Sequence, residues 1–492
     1  MPPRVSQKIA VGVVFVAAMF MSIMDVTIVN VALPTIGRDF GVSATAVDAI
    51  SIAFLVSLAV FIPASGWLGD KLGGKRVLLT AIVVFTVASA LCGLAQNLGE
   101  LVAFRVLQGV GGGMLAPVGM AMLFRTFPPA ERIRASAILT VPTTFAPAIG
   151  PVLGGLLVDD LSWRWVFFVN VPIGAAALAF GLAFLEDRPQ GAPGRFDVAG
   201  FVLSGLGLGS LMYGVSEAPD QGWGAMAPLS AIVIGVVLLT AMVFVELRTT
   251  EPIVALRLFG NRLFRAANGV MILASIAFLG TLYVVALYYQ DGRGLTPLQS
   301  GLSTFPEAVG VMLGAQLASR VLYPRLGPRR HITGGLLGVA VAIGSLAASG
   351  PDSSLWWARA SMFAIGFAMA QVFVPSQAAA FATISSAATG RASTMFNAVR
   401  QLGGAIGVAL LTTVIVLTMH GHQAAAATGS ITAYRVAFLV AAALALVAVA
   451  SALTIDDADA ANTIPIRRPR RAPRRASRLE REPDRLGTAR AL

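Results

Sequence analysis

Apolar stretches of about twenty residues, the length needed to cross a hydrocarbon layer, recur along the chain and are broken by short polar or basic connections. Fourteen such runs can be placed between Ile9 and Ala452. They predict an all-α polytopic membrane protein. The loops give an independent reading. Placing the amino terminus in the cytoplasm puts Lys71, Lys75, Arg76, Arg125, Arg132, Arg134 and most later basic loop residues, through Arg391, on that side. The opposite side keeps Arg38, Arg164, Arg293 and Arg435. That bias predicts both termini inside.

Certain positions recur at an offset of 254. Gly73, Lys75 and Arg76 return as Gly327, Arg329 and Arg330; Arg105 returns as Arg359; Gly150 returns as Gly404. The repetition predicts two parallel-related bundles of six helices, with two extra helices between them. The expected layout is a first bundle over residues 1–188, an inserted pair over 189–250, a second bundle over 251–455, and a basic disordered cytoplasmic tail over 456–492.

Composition narrows the class. Of 492 residues, 56% are hydrophobic and 12% charged, against about 25% charged in soluble domains, so a soluble fold is excluded for most of the chain. The first apolar run follows Arg4 and Lys8 but contains Asp25 and lacks a clear cleavage site, so it reads as a retained helix. Cys92 is the one cysteine and forms no internal disulfide. The net charge of +12 is concentrated in the tail. Beside a membrane, such a tail is expected to meet anionic lipid or to act as a topology signal; nucleic acid is not an expected partner.

The stretch MSIMDVTIVNVALP, Met21 to Pro34, places the carboxylate of Asp25 inside an apolar helix. Met21, Ser22, Asp25, Ile28, Val29 and Ala32 share one face, expected to look inward. An ionised acid is costly in hydrocarbon, which makes gain and loss of a proton a natural two-state event. A structural alternative is permanent neutralisation by a nearby Arg. In FRVLQGVGGGMLAP, Arg105, Gln108, Gly109, Gly112 and Gly113 form one stripe whose guanidinium needs a partner, Asp25 or a backbone carbonyl. The connection GWLGDKLGGKRV contributes Gly66, Gly69, Asp70, Gly73, Lys75 and Arg76, glycines for close approach and charges for helix ends. In TFAPAIGPVLGG, Ala146, Gly150 and Gly154 make a smooth seam, Pro147 and Pro151 bend the rod, and Gly155 extends the run of small residues. That seam is expected to seal a contact between the bundles.

These motifs resemble the major facilitator superfamily. The Gly66–Val77 loop follows its G-x-L-x-D-x-x-G pattern, with Tyr323 and Pro324 replacing Gly69 and Asp70 in the second copy. The fifth run matches the superfamily's antiporter pattern, with Ala146 for the first Gly. MDVTIVNVALP and WRWVFFVNVPIG resemble the fourteen-helix drug:proton antiporters of the EmrB/QacA type. The resemblance implies a major facilitator fold and multidrug efflux, a transport activity rather than an enzyme. It makes Asp25 the coupling acid, Arg105 its modulator and the Asp70 loop a cytoplasmic latch. The substrates would be lipophilic, often cationic compounds leaving against inward protons. The alternatives are a same-fold exporter of one endogenous lipid, siderophore or antibiotic, or a non-transporting scaffold that works through its tail.

Candidate cavity residues are Met21, Met24, Phe145, Phe278, Tyr283, Tyr289, Gln290, Glu307, Gln371, Asn397 and Arg400. Glu307 either attracts cationic drugs or pairs with Arg400. His331, beside Arg329 and Arg330, reads as a solvated loop residue. His420 and His422 lack the further ligands of a metal site. No phosphate-binding G-x-x-x-x-G-K-[ST] occurs, so no cofactor is expected, the energy source is a proton gradient, and the protein is expected to be a monomer in a bacterial cytoplasmic membrane.

Overall fold

The computed structural model describes residues 6–42, 44–186, 195–222, 224–250, 252–350, 353–420 and 428–464. The described elements are helical. In order they are α1 (Gln7–Phe40), α2 (Ala44–Leu72), α3 (Gly74–Leu94), α4 (Leu98–Thr126), α5 (Arg132–Asp160), α6 (Trp165–Phe168), α7 (Asn170–Phe184), α8 (Val198–Gln221), α9 (Met226–Arg248), α10 (Arg262–Leu287), α11 (Pro297–Leu317), α12 (Tyr323–Ala347), α13 (Leu355–Ala380), α14 (Thr389–His420) and α15 (Thr428–Leu453). Among the described residues twelve segments are long and apolar enough to cross a membrane. One of them, the 49-residue Gln299–Ala347, holds α11 and α12. The 20-residue Trp165–Phe184 holds α6 and α7. With the 29-residue α5 beside them, the rods are compatible with the fourteen predicted runs.

The helices pack in corresponding pairs. α1 lies on α5 as α10 lies on α14; α2 and α3 lie on α4 as α11 and α12 lie on α13. The offset of 254 has a backbone signature too. Gly73 turns into α3 with φ 88°, and Gly327 makes the corresponding turn at a kink inside α12 with φ 71°. A side chain at either turn would face the left-handed penalty of about 1–2 kcal/mol. α8 and α9 form a hairpin whose α8 rests on α2 and α14. Between the two sets of helices, α5 packs on α11 and α13, and α14 packs on α2 and α4.

The segment after α15 departs from expectation. Residues 456–464 do not open a disordered tail; they fold across the basic end of the bundle. Asp457 accepts a hydrogen bond from the Arg329 backbone N–H at 2.8 Å. The Thr463 and Tyr323 hydroxyls meet at 2.6 Å, and Asn462 donates to the Ala382 carbonyl at 2.9 Å. Ile464 packs against a cluster that joins Ile133 and Ala137 of α5 to Val311 of α11 and Val374 of α13. The second copy of the loop lacks the acid of the first, and Asp457 brings one to the same turn, beside Gly327. Residues 465–492, where the rest of the basic tail was expected, lie outside the described residues.

Candidate functional site

The predicted inward face of α1 is buried: Met21, Ser22, Asp25, Ile28, Val29 and Ala32 all lie inside the protein. Asp25 is fully enclosed. One carboxylate oxygen, Oδ2, is ion-paired to Nη1 of Arg105. The other, Oδ1, accepts from Gln108 Nε2 at 2.9 Å and from Asn170 Nδ2 at 2.8 Å. Arg105 is itself 1% exposed. It donates from Nε to the Ile50 carbonyl at 3.2 Å and from Nη1 to Gln108 Oε1 at 2.7 Å, and its guanidinium carbon stands 4.2 Å from the Phe54 ring centre. Both partners foreseen for this guanidinium, the acid and a carbonyl, are therefore present.

Asn170 was not singled out from the sequence. It sits at the start of α7 and joins Asp25 to the Ser89 hydroxyl, 3.0 Å away. Its signal was a lone amide in an apolar run, and only its distance from Asp25 in the chain concealed the contact.

A cavity of about 310 Å³ lies between α1, α2, α4 and α5 on one side and α10, α11, α13 and α14 on the other. Phe278, Glu307, Asn397 and Arg400 line it, as expected. The other candidates fall elsewhere. Met21 and Met24 are buried in α1 but do not belong to the walls; α1 offers Phe15, Met19, Ser22, Val26 and Thr27 instead. Phe145 is half-buried in α5 and outside the lining. Tyr283 and Gln290 are exposed, and Tyr289 is packed in the apolar core of the second bundle. Gln371 is taken up by structure: it donates to the Gly314 carbonyl at 3.0 Å and meets His331 Nε2 at 2.8 Å. That contact also corrects the reading of His331, which is buried rather than solvated. The aromatic walls Phe15, Phe373 and Phe396 were missed.

Asp25 does not open into this cavity. At 3.6 residues per turn it lies about 120° around α1 from the centre of the lining face. Its neighbours Ser22 and Val26 do line the cavity, so the acid and the chamber share one helix.

The glycines of α5 form a seam, but against a different partner than expected. A Cβ at Gly150 would collide with the Thr27 side chain, and one at Gly154 would come 3.1 Å from the Ile28 carbonyl. The seam thus presses α5 onto α1 within the first bundle, immediately beside Asp25, rather than across the two bundles. Ala146 is buried on the same helix, which also carries Pro151. Gly155 has no atom within 4 Å of a hypothetical Cβ and takes no part.

The Asp70 loop lies at the basic end. Asp70 Oδ1 pairs with Arg125 Nη2 at 2.6 Å, and Arg125 Nε donates to the Ser386 carbonyl at 3.2 Å, just before α14. A Cβ at Gly66 would come 3.1 Å from the Gly390 carbonyl, and one at Gly69 would meet Val118 at an ordinary 3.8 Å. Lys75 Nζ holds the Leu185 carbonyl after α7 at 2.5 Å, satisfying a helix end; Arg76 is exposed. Further bonds join the bundles at this end. Ser393 donates to the Pro117 carbonyl at 2.5 Å, the Ser65 and Thr394 hydroxyls meet at 3.2 Å, and Arg132 donates to the Phe381 carbonyl. The rings of Phe124 and Phe381 stack at 4.3 Å. The basic end is sealed beneath the cavity.

Comparison with known proteins agrees with this architecture. Residues 15–408 match the family described as the Major Facilitator Superfamily. The chain is 34% identical over 409 residues to a multidrug resistance protein B homolog of Mycobacterium tuberculosis, covering 82% of this chain and 75% of that one. It is 33% identical over 404 residues to the tetracenomycin C resistance and export protein of Streptomyces glaucescens, covering 82% and 74%. Among solved structures, the human organic anion transporter MFSD10 (TETRAN) superposes with a TM-score of 0.64 at 17% identity, over 90% of this chain and 100% of that one. That likeness bears on the fold alone. The paired bundles, the Asp70 loop and the sequence match together place the chain: it belongs to the major facilitator superfamily, a family of multi-pass membrane transporters.

Proposed function

We propose that this transporter exports amphipathic small molecules, often cationic, across a bacterial cytoplasmic membrane in exchange for inward protons. The observation that carries the reading is the enclosed quartet of Asp25, Arg105, Gln108 and Asn170, set on the helix that walls the cavity. A buried ion pair is poor evidence for stability, because desolvation offsets its Coulombic gain. It suits a switch. A proton arriving on Asp25 neutralises the acid and leaves Arg105 to the Ile50 carbonyl and Gln108, already within reach. Any shift of α1 that follows is passed to the cavity through Ser22 and Val26, and to α5 through the close contact at Gly150.

The positive-inside bias supports a cytoplasmic assignment for the basic end and for both termini. On that assignment the Asp70–Arg125 pair and the Ser393–Pro117 bond close the inner side, and the two bundles rock about the cavity when these bonds break. The names of the two bacterial relatives, a multidrug resistance protein homolog and an antibiotic export protein, support efflux. The tetracenomycin exporter also favours a second reading, export of a single antibiotic, which a substrate screen separates from broad efflux. The test of coupling is proton movement in purified, reconstituted protein. Added substrate should release protons from the parent and none from Asp25→Asn; equal release from both would overturn the proposal.

A further inference from the structure

We infer that the cavity is built for an ampholyte, a molecule carrying both a cationic and an anionic group on an aromatic body, held between Glu307 and Arg400. The inference rests on the proposed role of this cavity as the substrate site and names the chemistry of its cargo. Two opposite charges line the same chamber of about 310 Å³, the lower end of the range for small-molecule pockets of about 300–1,000 Å³. Glu307 is 7% exposed. Its backbone is pressed against α13, where a Cβ on Gly366 would come 3.1 Å from the Glu307 Cα, so the position of the acid is fixed. Arg400 stands on α14, one turn beyond the cavity residues Phe396 and Asn397.

The two charges do not satisfy each other. Among the described residues neither forms an ion pair within 4.0 Å, and neither has a hydrogen-bond partner. Buried charges are otherwise paired, as Asp25 and Arg105 are a short distance away. A lipophilic monocation would meet Glu307 and leave Arg400 unpaired, with like-charge repulsion added. An organic anion would do the reverse. A molecule with both groups pairs each charge and leaves the cavity neutral, while Phe15, Phe278, Phe373 and Phe396 supply walls for flat rings. Arg400 also lies on α14 two turns beyond Ser393, whose bond to Pro117 belongs to the gate, so the anionic group would be read by an element that moves.

Two dyes with one xanthene body test this. Rhodamine 110 is a zwitterion with a free carboxylate near neutral pH, and rhodamine 123 is its methyl ester, a monocation. Binding to the full-length protein in nanodiscs is followed by fluorescence anisotropy without any gradient, so the result does not depend on proton coupling. One well-placed charge-assisted bond is worth about a factor of ten in affinity. Rhodamine 110 should bind about tenfold tighter than rhodamine 123. Arg400→Gln should abolish that preference by weakening rhodamine 110 alone, Arg400→Lys should retain it, and Glu307→Gln should weaken both dyes. Equal or tighter binding of rhodamine 123, a preference that survives Arg400→Gln, or no binding of either dye would each overturn the inference. A clear preference alongside unimpaired proton exchange in Asp25→Asn would retain this inference and remove the coupling scheme instead.

Discussion

At the scale of single residues, the centre of the protein is a charge pair enclosed by protein, with Asp25 fully buried and Arg105 1% exposed. Removing one partner of such a pair leaves the other uncompensated, at a cost of about 3–5 kcal/mol. Arg105→Ala and Asp25→Asn each remove one charge of the pair, and each should lower the thermal stability of the purified protein by that order. Unchanged stability in either variant would mean that the pair is not the unit described. Asn170→Leu deletes the donor to Asp25 and to Ser89, and an unsatisfied buried group costs about 1–3 kcal/mol. Thermal unfolding in detergent reads all three. Asp25 and Arg105 were legible because a charge inside an apolar run has few explanations. The cavity walls were not, because Tyr283 on the outside of α10 and Phe396 inside the chamber are the same kind of side chain on the same kind of helix.

Helix spacing told a half-truth about α5. Ala146, Gly150 and Gly154 announce a smooth face, and a smooth face predicts close approach without naming the neighbour. The neighbour is α1, and the approach falls at Thr27 and Ile28, within one turn of Asp25. Gly150→Val should consequently abolish transport by forcing α1 and α5 apart, while Gly155→Ala, which meets nothing within 4 Å, should transport at the parent rate. Efflux assays on the two variants, with membrane abundance measured in parallel, check this; equal activity would show that the seam is dispensable. At the other end of the chain, Asp457 caps the part of α12 that follows the Gly327 kink, from a distant segment. Its role could not be read from sequence, since the acid lies 130 positions past the turn it serves. Losing a helix cap costs about 0.5–2 kcal/mol, and Asp457→Ala should show a loss of stability of that size in thermal unfolding.

For the whole molecule, the repeat at 254 positions was the strongest guide to architecture, because glycine turns and basic loops recur only when the backbone beneath them does. What it could not convey is which bundle ends touch. The sealed end depends on Asp70 and Arg125 and on bonds such as Ser65–Thr394. Asp70→Asn should loosen that seal, so a cysteine placed at position 65 by Ser65→Cys should react several-fold faster with a membrane-impermeant thiol reagent from the basic side. The buried Cys92 adds little background, and an unchanged rate would mean that the pair does not hold the gate.

The most direct test of the central claim is substrate export from proteoliposomes under an imposed pH gradient, comparing the parent with Asp25→Asn at equal reconstitution. The parent should export substrate under the imposed gradient and the variant should not, with substrate binding preserved in both. Undiminished gradient-driven export by Asp25→Asn would contradict the claim.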